Sequence, residues 1–131
     1  RDRRPGYPHR ILVGYNGGEA SFWALQQAAD VAEAIGAAIG VVTVSAGPRP
    51  IDDRLLAFAT EALRYLEDRG LRATLHLRVG DPATEIGAEA DAGAYDIIYL
   101  GNTETEIGAR LRPGTAQRLP LRTPVEVLVA R

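Results

Sequence analysis

The chain is predicted to fold as a single three-layer α/β domain: a five-stranded, mainly parallel sheet with helices on both faces. Three observations predict it. Short apolar runs without alternation, at residues 10–15, 39–44 and 96–100, read as strands buried on both faces. Stretches of helical periodicity fill the intervals. Glycines stand at the junctions, at Gly36, Gly70, Gly80, Gly93 and Gly101. Strands alternating with helices imply right-handed β-α-β units. At 131 residues there is enough chain for one core. No internal repeat or shift of composition divides residues 10–131.

Residues 1–9 (RDRRPGYPH) are basic, carry two prolines and are expected to be a solvated arm. The run RILVGY at 10–15 is the first strand. A helix follows over 19–35, with Ala20, Ala24, Ala28, Val31 and Ile35 on one face, Gln26, Asp30 and Glu33 on another, and Gly36 as its stop. IGVVTV at 39–44 is the second strand and AGPRP at 46–50 a loop. The second helix spans 52–69. Leu55, Ala59, Ala62 and Leu66 form its stripe, Leu56 and Leu63 flank it, Arg64 and Asp68 are spaced to pair, and Gly70 ends it.

Residues 71–79 alternate strictly, with Leu71, Ala73, Leu75, Leu77 and Val79 on one side and Arg72, Thr74, His76 and Arg78 on the other. A strand with one wet face suits a sheet edge, and His76 then reads as a surface residue. Gly80-Asp81-Pro82 opens a third helix, with Asp81 as N-cap and Pro82 at the first helical position; Gly93 closes it. Residues 96–100 (DIIYL) and 125–129 (VEVLV) are strands four and five. The Gly/Thr/Arg-rich segment between them has room for a short helix after Gly114.

Composition excludes several classes of function. Hydrophobic residues make up 46% and charged residues 24%, as in a globular chain. No apolar run reaches the roughly 18 residues of a membrane span, and no secretory h-region opens the chain. The expected compartment is the cytoplasm. Cys is absent, which removes disulfides, thiolate metal sites and a Cys nucleophile. With only His9 and His76, no multi-His metal site is expected. The net charge of −2 gives no pull toward nucleic acid. Lys is absent, so P-loop chemistry is excluded. Met is absent at every position including the first, and the chain is expected to be trimmed, processed or cut from something longer.

Two segments have the composition of a ligand site. Gly14-Tyr15-Asn16-Gly17-Gly18-Glu19 follows the first strand, and the second segment runs from Gly101, after the fourth strand, to Gly114-Thr115. Ligands of open parallel sheets bind beyond the carboxyl ends of strands, where strand order reverses. Glycine there lets backbone approach a ligand, and a helix N-terminus offers free N–H groups to an anion. Equally, glycines after strands serve simply as turns.

These residues resemble the universal stress protein family over nearly all of 10–131. The resemblance rests on ILVGYNGGEASFWALQQAADVAEAIGA, on Gly80-Asp81-Pro82, on DIIYLGN and on the closing PVEVLVAR. It implies an adenine nucleotide alpha-hydrolase-like sheet in strand order 3-2-1-4-5. ATP-binding members carry Gly, two residues, Gly, nine residues, then Gly and Ser or Thr after strand four. Gly101, Gly114 and Thr115 keep that spacing. The implied nucleotide site comprises Gly14, Tyr15, Asn16, Val44, Leu100, Gly101, Glu104, Arg110, Gly114, Thr115 and Ala116, with the adenine between Gly14, Asn16, Val44 and Leu100. The implied ligand is ATP with Mg²⁺.

The motif departs from the family in ways that bear on the ligand. Glu104 replaces the middle glycine. Two like charges about 4 Å apart repel by roughly 1 kcal/mol in water and about 4 kcal/mol at an effective dielectric of 20. That is a large part of a micromolar affinity of about −8 kcal/mol. Asn16 stands in place of an Asp and Gly18 in place of a Ser. Pro120 shortens or breaks the last helix. Against these, Arg110 and Arg112, expected in the loop between the glycine positions, are candidates to neutralise Glu104 or clamp a phosphate; the alternative is two arginines simply solvated on that loop.

Three functions follow. The first is a dimerising regulatory domain with a degenerate adenine-nucleotide site. The second is an interaction module of the same fold that binds no nucleotide and so carries no cofactor. The third, remote, is an ATP-dependent enzyme of the ATP-pyrophosphatase type, which Asn16-Gly17-Gly18-Glu19-Ala20-Ser21 faintly echoes without the Ser and Asp that define that loop. No catalytic residue is identified. For the first two, the apolar edge of strand five (Val125, Val127 and Val129, guarded by Glu126 alone) predicts a symmetric homodimer, a mode the resemblance also implies.

Overall fold

A computed structural model describes residues 10–46, 52–101, 105–111 and 126–129. The elements run β1 (Arg10–Gly14), α1 (Glu19–Ile35), β2 (Ala38–Ser45), α2 (Asp53–Asp68), β3 (Ala73–Val79), α3 (Pro82–Ala92), β4 (Ile97–Leu100), α4 (Thr105–Leu111) and β5 (Glu126–Val129). The sheet order is β3-β2-β1-β4-β5 and every strand pair is parallel. The expected fold class and strand order are those observed.

Alternation along the buried strands divides the core in two. Ile11, Val13, Ile39, Val41, Ile97 and Tyr99 face α1 and α2. Leu12, Val42, Ile98, Leu100 and Val127 face α3 and α4. Each fully buried Leu or Ile contributes about 1.5–3 kcal/mol relative to exposure. Local chemistry sets the helix ends. Gly36 stops α1 in the left-handed region at φ +70°. Asp52 caps α2 by accepting from Leu55 N–H at 2.8 Å. Asp81 caps α3 by accepting from Thr84 N–H at 3.0 Å, with Pro82 next.

Several sequence expectations are corrected. The buried face of α1 is Ser21, Ala24, Leu25, Ala28, Ala29 and Ala32, leaving Ala20, Val31 and Ile35 on its flank. The reason is that α2 lies to one side, where Phe22 meets Tyr65 edge-on at 5.3 Å. Leu56 of α2 is exposed. Arg64 and Asp68 form no bond with each other. Instead Arg69 joins α2 to α1, donating to Glu33 and to Asp30 while its Nη1 donates to Tyr65 Oη.

The polar side of β3 is not wet along its length. Arg78 donates to Glu89 and Glu85 of α3, and His76 lies 3.4 Å from Glu89, whose side chain is only 8% exposed. The helix tiles this face, and His76 is a half-buried member of that network. On the other side, Leu77 and Val79 are exposed, because α2 covers only the earlier part of the strand.

Arg110 was expected in a loop. It stands in the last turn of α4, a helix the sequence reading missed. Glycine spacing drew attention away from Ile107 and Leu111, an i, i+4 apolar pair that packs on the α3 side of the sheet. Strand five is described from Glu126, and the short helix expected after Gly114 lies outside the described residues.

Candidate functional site

The sheet order reverses between β1 and β4: β1 leads on toward β2 and β4 toward β5. The carboxyl ends of these neighbouring strands define a crevice at the switch point. The loop after β1 is fixed from three directions. Tyr15 N–H donates to Val42 O at 3.0 Å, and the buried Thr43 hydroxyl donates to Tyr15 O at 2.9 Å. Asn16 Oδ1 accepts from Gly18 N–H at 2.9 Å and from Ser21 Oγ at 2.6 Å, while Asn16 N–H donates to Ser21 Oγ at 3.2 Å. Gly17 adopts φ +88°, and a Cβ there would lie 2.4 Å from the Phe58 ring. The loop therefore needs glycine both for its backbone and for the close approach of α2.

Gly101 has a packing reason of its own. A Cβ on it would meet Ala20 C at 2.6 Å and Ser21 N at 2.8 Å. The end of β4 thus rests directly on the first turn of α1. The N-cap of that helix, Gly18, makes no side-chain capping bond, so the first-turn N–H groups of α1 stand beside Gly101 at the crevice.

Alternation places Gly14, Val44 and Leu100 on the α3 side of the sheet, while the exposed Asn16, beyond the end of β1, turns its side chain to Ser21 of α1. Gly14 and Leu100 are buried, and a Cβ on Gly14 would lie 2.8 Å from Leu100 Cδ2 and 3.4 Å from Ile86 Cδ1. Leu100 and Ile86 thus floor the crevice over Gly14. Val44 is half-buried beside them. Tyr15 turns its ring the other way, into the α1–α2 core, where burial and then the nearby Glu61 carboxylate push its phenol up.

Arg110 Nη1 donates to Asp81 Oδ2 at 2.8 Å. The Asp81 carboxyl is held below the usual carboxylate range by the Thr84 hydroxyl, then by the Thr84 amide and by Arg110. Nothing in the sequence linked these residues, which lie 29 positions apart. Of the site expected from sequence, Gly14, Asn16, Val44, Leu100 and Gly101 are brought together, Tyr15 contributes backbone, and Arg110 is anchored on α3. Glu104, Arg112, Gly114, Thr115 and Ala116 lie outside the described residues. At the sheet edge Val127 points into the core, Leu128 is exposed and Val129 is half-buried; Val125 lies outside.

Comparison with known proteins adds the following. The family model described as "Universal stress protein family" matches residues 8–131. No curated protein matches the chain. Among solved structures, the universal stress protein UspA from Lactobacillus plantarum superposes with TM-score 0.72 at 17% identity, over 96% of this chain and 99% of that one. A universal stress protein in complex with cAMP gives 0.70 at 20% identity, over 96% and 99%. A family protein from Arabidopsis thaliana with AMP bound gives 0.66 at 12% identity, over 95% and 93%.

Proposed function

Since the chain belongs to the universal stress protein family, we propose that it is a dimerising regulatory domain of the stress response that binds an adenine nucleotide in the β1–β4 crevice. The observation that carries this reading is the seating of Gly101 against the first turn of α1. It sets a glycine, the N–H groups of an uncapped helix start and the exposed Asn16 around one crevice. Similar folds have been solved with cAMP and with AMP, so the reading extends to those ligands as well as ATP.

In this reading the strip of Gly14, Val44 and Leu100 backs the base, the glycine segment beginning at Gly101 takes the phosphates, and Arg110 exchanges Asp81 for a phosphate oxygen. Mg²⁺ would accompany a triphosphate. Asn16 Oδ1 already accepts two hydrogen bonds, so the ion would keep phosphate oxygens and water as its ligands. The reading assigns no catalytic group and places the domain in the cytoplasm, as a homodimer closed through β5.

Titration calorimetry on the whole chain with ATP, AMP and cAMP, with Mg²⁺ at fixed salt, tests this. Saturable binding in the micromolar range is expected. No heat up to millimolar ligand would overturn it, in favour of an interaction module. The observation favouring that second reading is the internal commitment of the site: Asn16 is tied to Ser21 and Arg110 to Asp81. Glu104→Gly separates the two, since it gains ATP affinity where Glu104 blocks the phosphate position and changes little where it does not.

A further inference from the structure

At the opposite end of the strands from the β1–β4 crevice, a cavity of about 480 Å³ opens over the amino ends of β1, β2 and β3. Its floor is Ala38. The register sets Arg10 opposite Ala38, and Ile39 N–H donates to Arg72 O on the far side. Two arginines on strands either side of β2 therefore flank one small residue. Their Cα atoms are roughly 10 Å apart, two strand spacings of about 4.8 Å. Alternation sends both guanidinium groups to the α3 side of the sheet.

Arg10 is held in place before any ligand arrives. Its amide donates to Asp96 Oδ2 at 2.9 Å, its Nε donates to Gly93 O, and its guanidinium lies 4.8 Å from the centre of the Tyr95 ring. Neither terminal amine of Arg10, and no nitrogen of the Arg72 guanidinium, has a partner among the described residues. The wall adds two hydroxyls. Tyr95 Oη crosses to β2 and occupies the volume a Cβ on Gly40 would need, 2.1 Å away. Thr74 Oγ1 lies 3.0 Å from His76 Nε2, and Tyr95 Oη lies 3.4 Å from the same atom. The neighbouring carboxylates are committed: Asp96 to the Arg10 amide, Glu89 to Arg78 and His76.

We propose that this cavity is a second ligand site, one that binds a phosphate group, free or as a small monoester, between the Arg10 and Arg72 guanidinium forks. Two forks lining one cavity from either side of β2 suit the several oxygens of one phosphate better than a single carboxylate. The backing of Arg10 by Tyr95 and Gly93 lowers the ordering cost of binding. The C-terminal carbonyls of α3 oppose an anion at this end of the sheet, and the bond from Arg10 Nε to Gly93 O offsets one of them. The volume leaves room for the organic part of a monoester. This site does not depend on the nucleotide reading of the β1–β4 crevice, whose residues lie at the other end of the sheet.

The test is a titration of the ¹⁵N-labelled whole chain with inorganic phosphate and, separately, with glycerol 3-phosphate, read by amide chemical shifts. Saturable shifts are expected at Ala38, Thr74 and Tyr95, with Gly14 and Asn16 still. Tighter binding of glycerol 3-phosphate identifies the monoester as the better ligand, and equal binding identifies free phosphate as sufficient. Arg72→Ala should weaken binding about tenfold, and Arg72→Lys should recover part of the loss. The Arg72 side chain is exposed and makes no bond among the described residues, and the backbone bond from Ile39 N–H to Arg72 O survives either substitution, so these variants stay folded. Arg64→Ala, the same loss of charge on α2, should change nothing. An equal response to chloride at matched ionic strength, unsaturated shifts, shifts centred on Gly14 and Asn16, or an Arg72→Ala variant that binds as well as the parent would each overturn the proposal.

Discussion

Arg110 in the last turn of α4 donates to Asp81 at the N-cap of α3, at 2.8 Å. One carboxylate thereby starts a helix and holds the cation that the nucleotide reading needs for a phosphate. Asp81→Asn keeps an oxygen for the cap and removes the competing charge. Its expected outcome is ATP affinity raised a few-fold with little change in Tm. Arg110→Ala is expected to lower ATP affinity about tenfold, with a stability cost below about 1 kcal/mol for so exposed a pair. Calorimetry and thermal melts on both variants check this.

The same carboxyl predicts an acid limb. Asp81 binds its proton less readily folded than unfolded, so its contribution to stability is complete above the unfolded value near pH 4. It is lost as pH falls through the lower folded value. Glu33, held low chiefly by its hydrogen bond from Arg69, adds to the same limb. Between about pH 5 and pH 2, the Tm of Asp81→Asn should fall less than that of the parent. Parallel Tm curves would refute the assignment.

Arg69 fastens α2 to α1 through Glu33, Asp30 and Tyr65, and these bonds hold its guanidinium charged. Arg69→Ala should lower Tm by about 2–4 °C, and the loss should shrink in high salt. Arg69→Lys should recover little, because an ammonium cannot make the forked contact with Glu33. Melts at low and high salt decide it.

Gly101→Ala would put a methyl group 2.6 Å from the carbonyl carbon of Ala20. Backbone cannot rotate out of the way as a side chain can, so α1 must shift. The expected cost is about 1–3 kcal/mol, read by denaturant unfolding. A variant as stable as the parent would show that the junction yields.

The proposed β5 dimer is best probed at Leu128. Val127 points into the core and is 6% exposed, so a lysine there would damage the fold as well as any interface. Leu128 is 38% exposed at the sheet edge. Leu128→Lys should move the mass by light scattering from dimer toward monomer with Tm nearly unchanged for the monomer fold. A parent that is already monomeric would remove β5 as an interface.

Much of the fold was legible because its signals are local. The buried run at β1, the α1 boundaries and the Asp81-Pro82 start of α3 each depend on residues within a turn or two of one another. The α4 helix was missed because its signal, Ile107 and Leu111 with Gly108 between, is short and sits inside a glycine pattern that reads as loop. The candidate site was legible as a list of residues but not as an arrangement. Sequence placed Tyr15 in the crevice, whereas its ring packs into the core. It offered Arg110 to Glu104 or a phosphate, whereas Arg110 bonds Asp81.

By itself, then, the amino-acid sequence determined the class of fold, the order of its elements apart from α4, and the family, since periodicity, caps and motif spacing are properties of neighbours along the chain. Only the tertiary structure decided partners and cavities: Arg110 with Asp81, Arg69 with Glu33, Tyr95 in the space over Gly40, and Arg10 with Arg72 around Ala38. Those depend on which strands become neighbours and which way each side chain alternates. Parallel pairing brings together residues dozens of positions apart, and no local pattern carries that information.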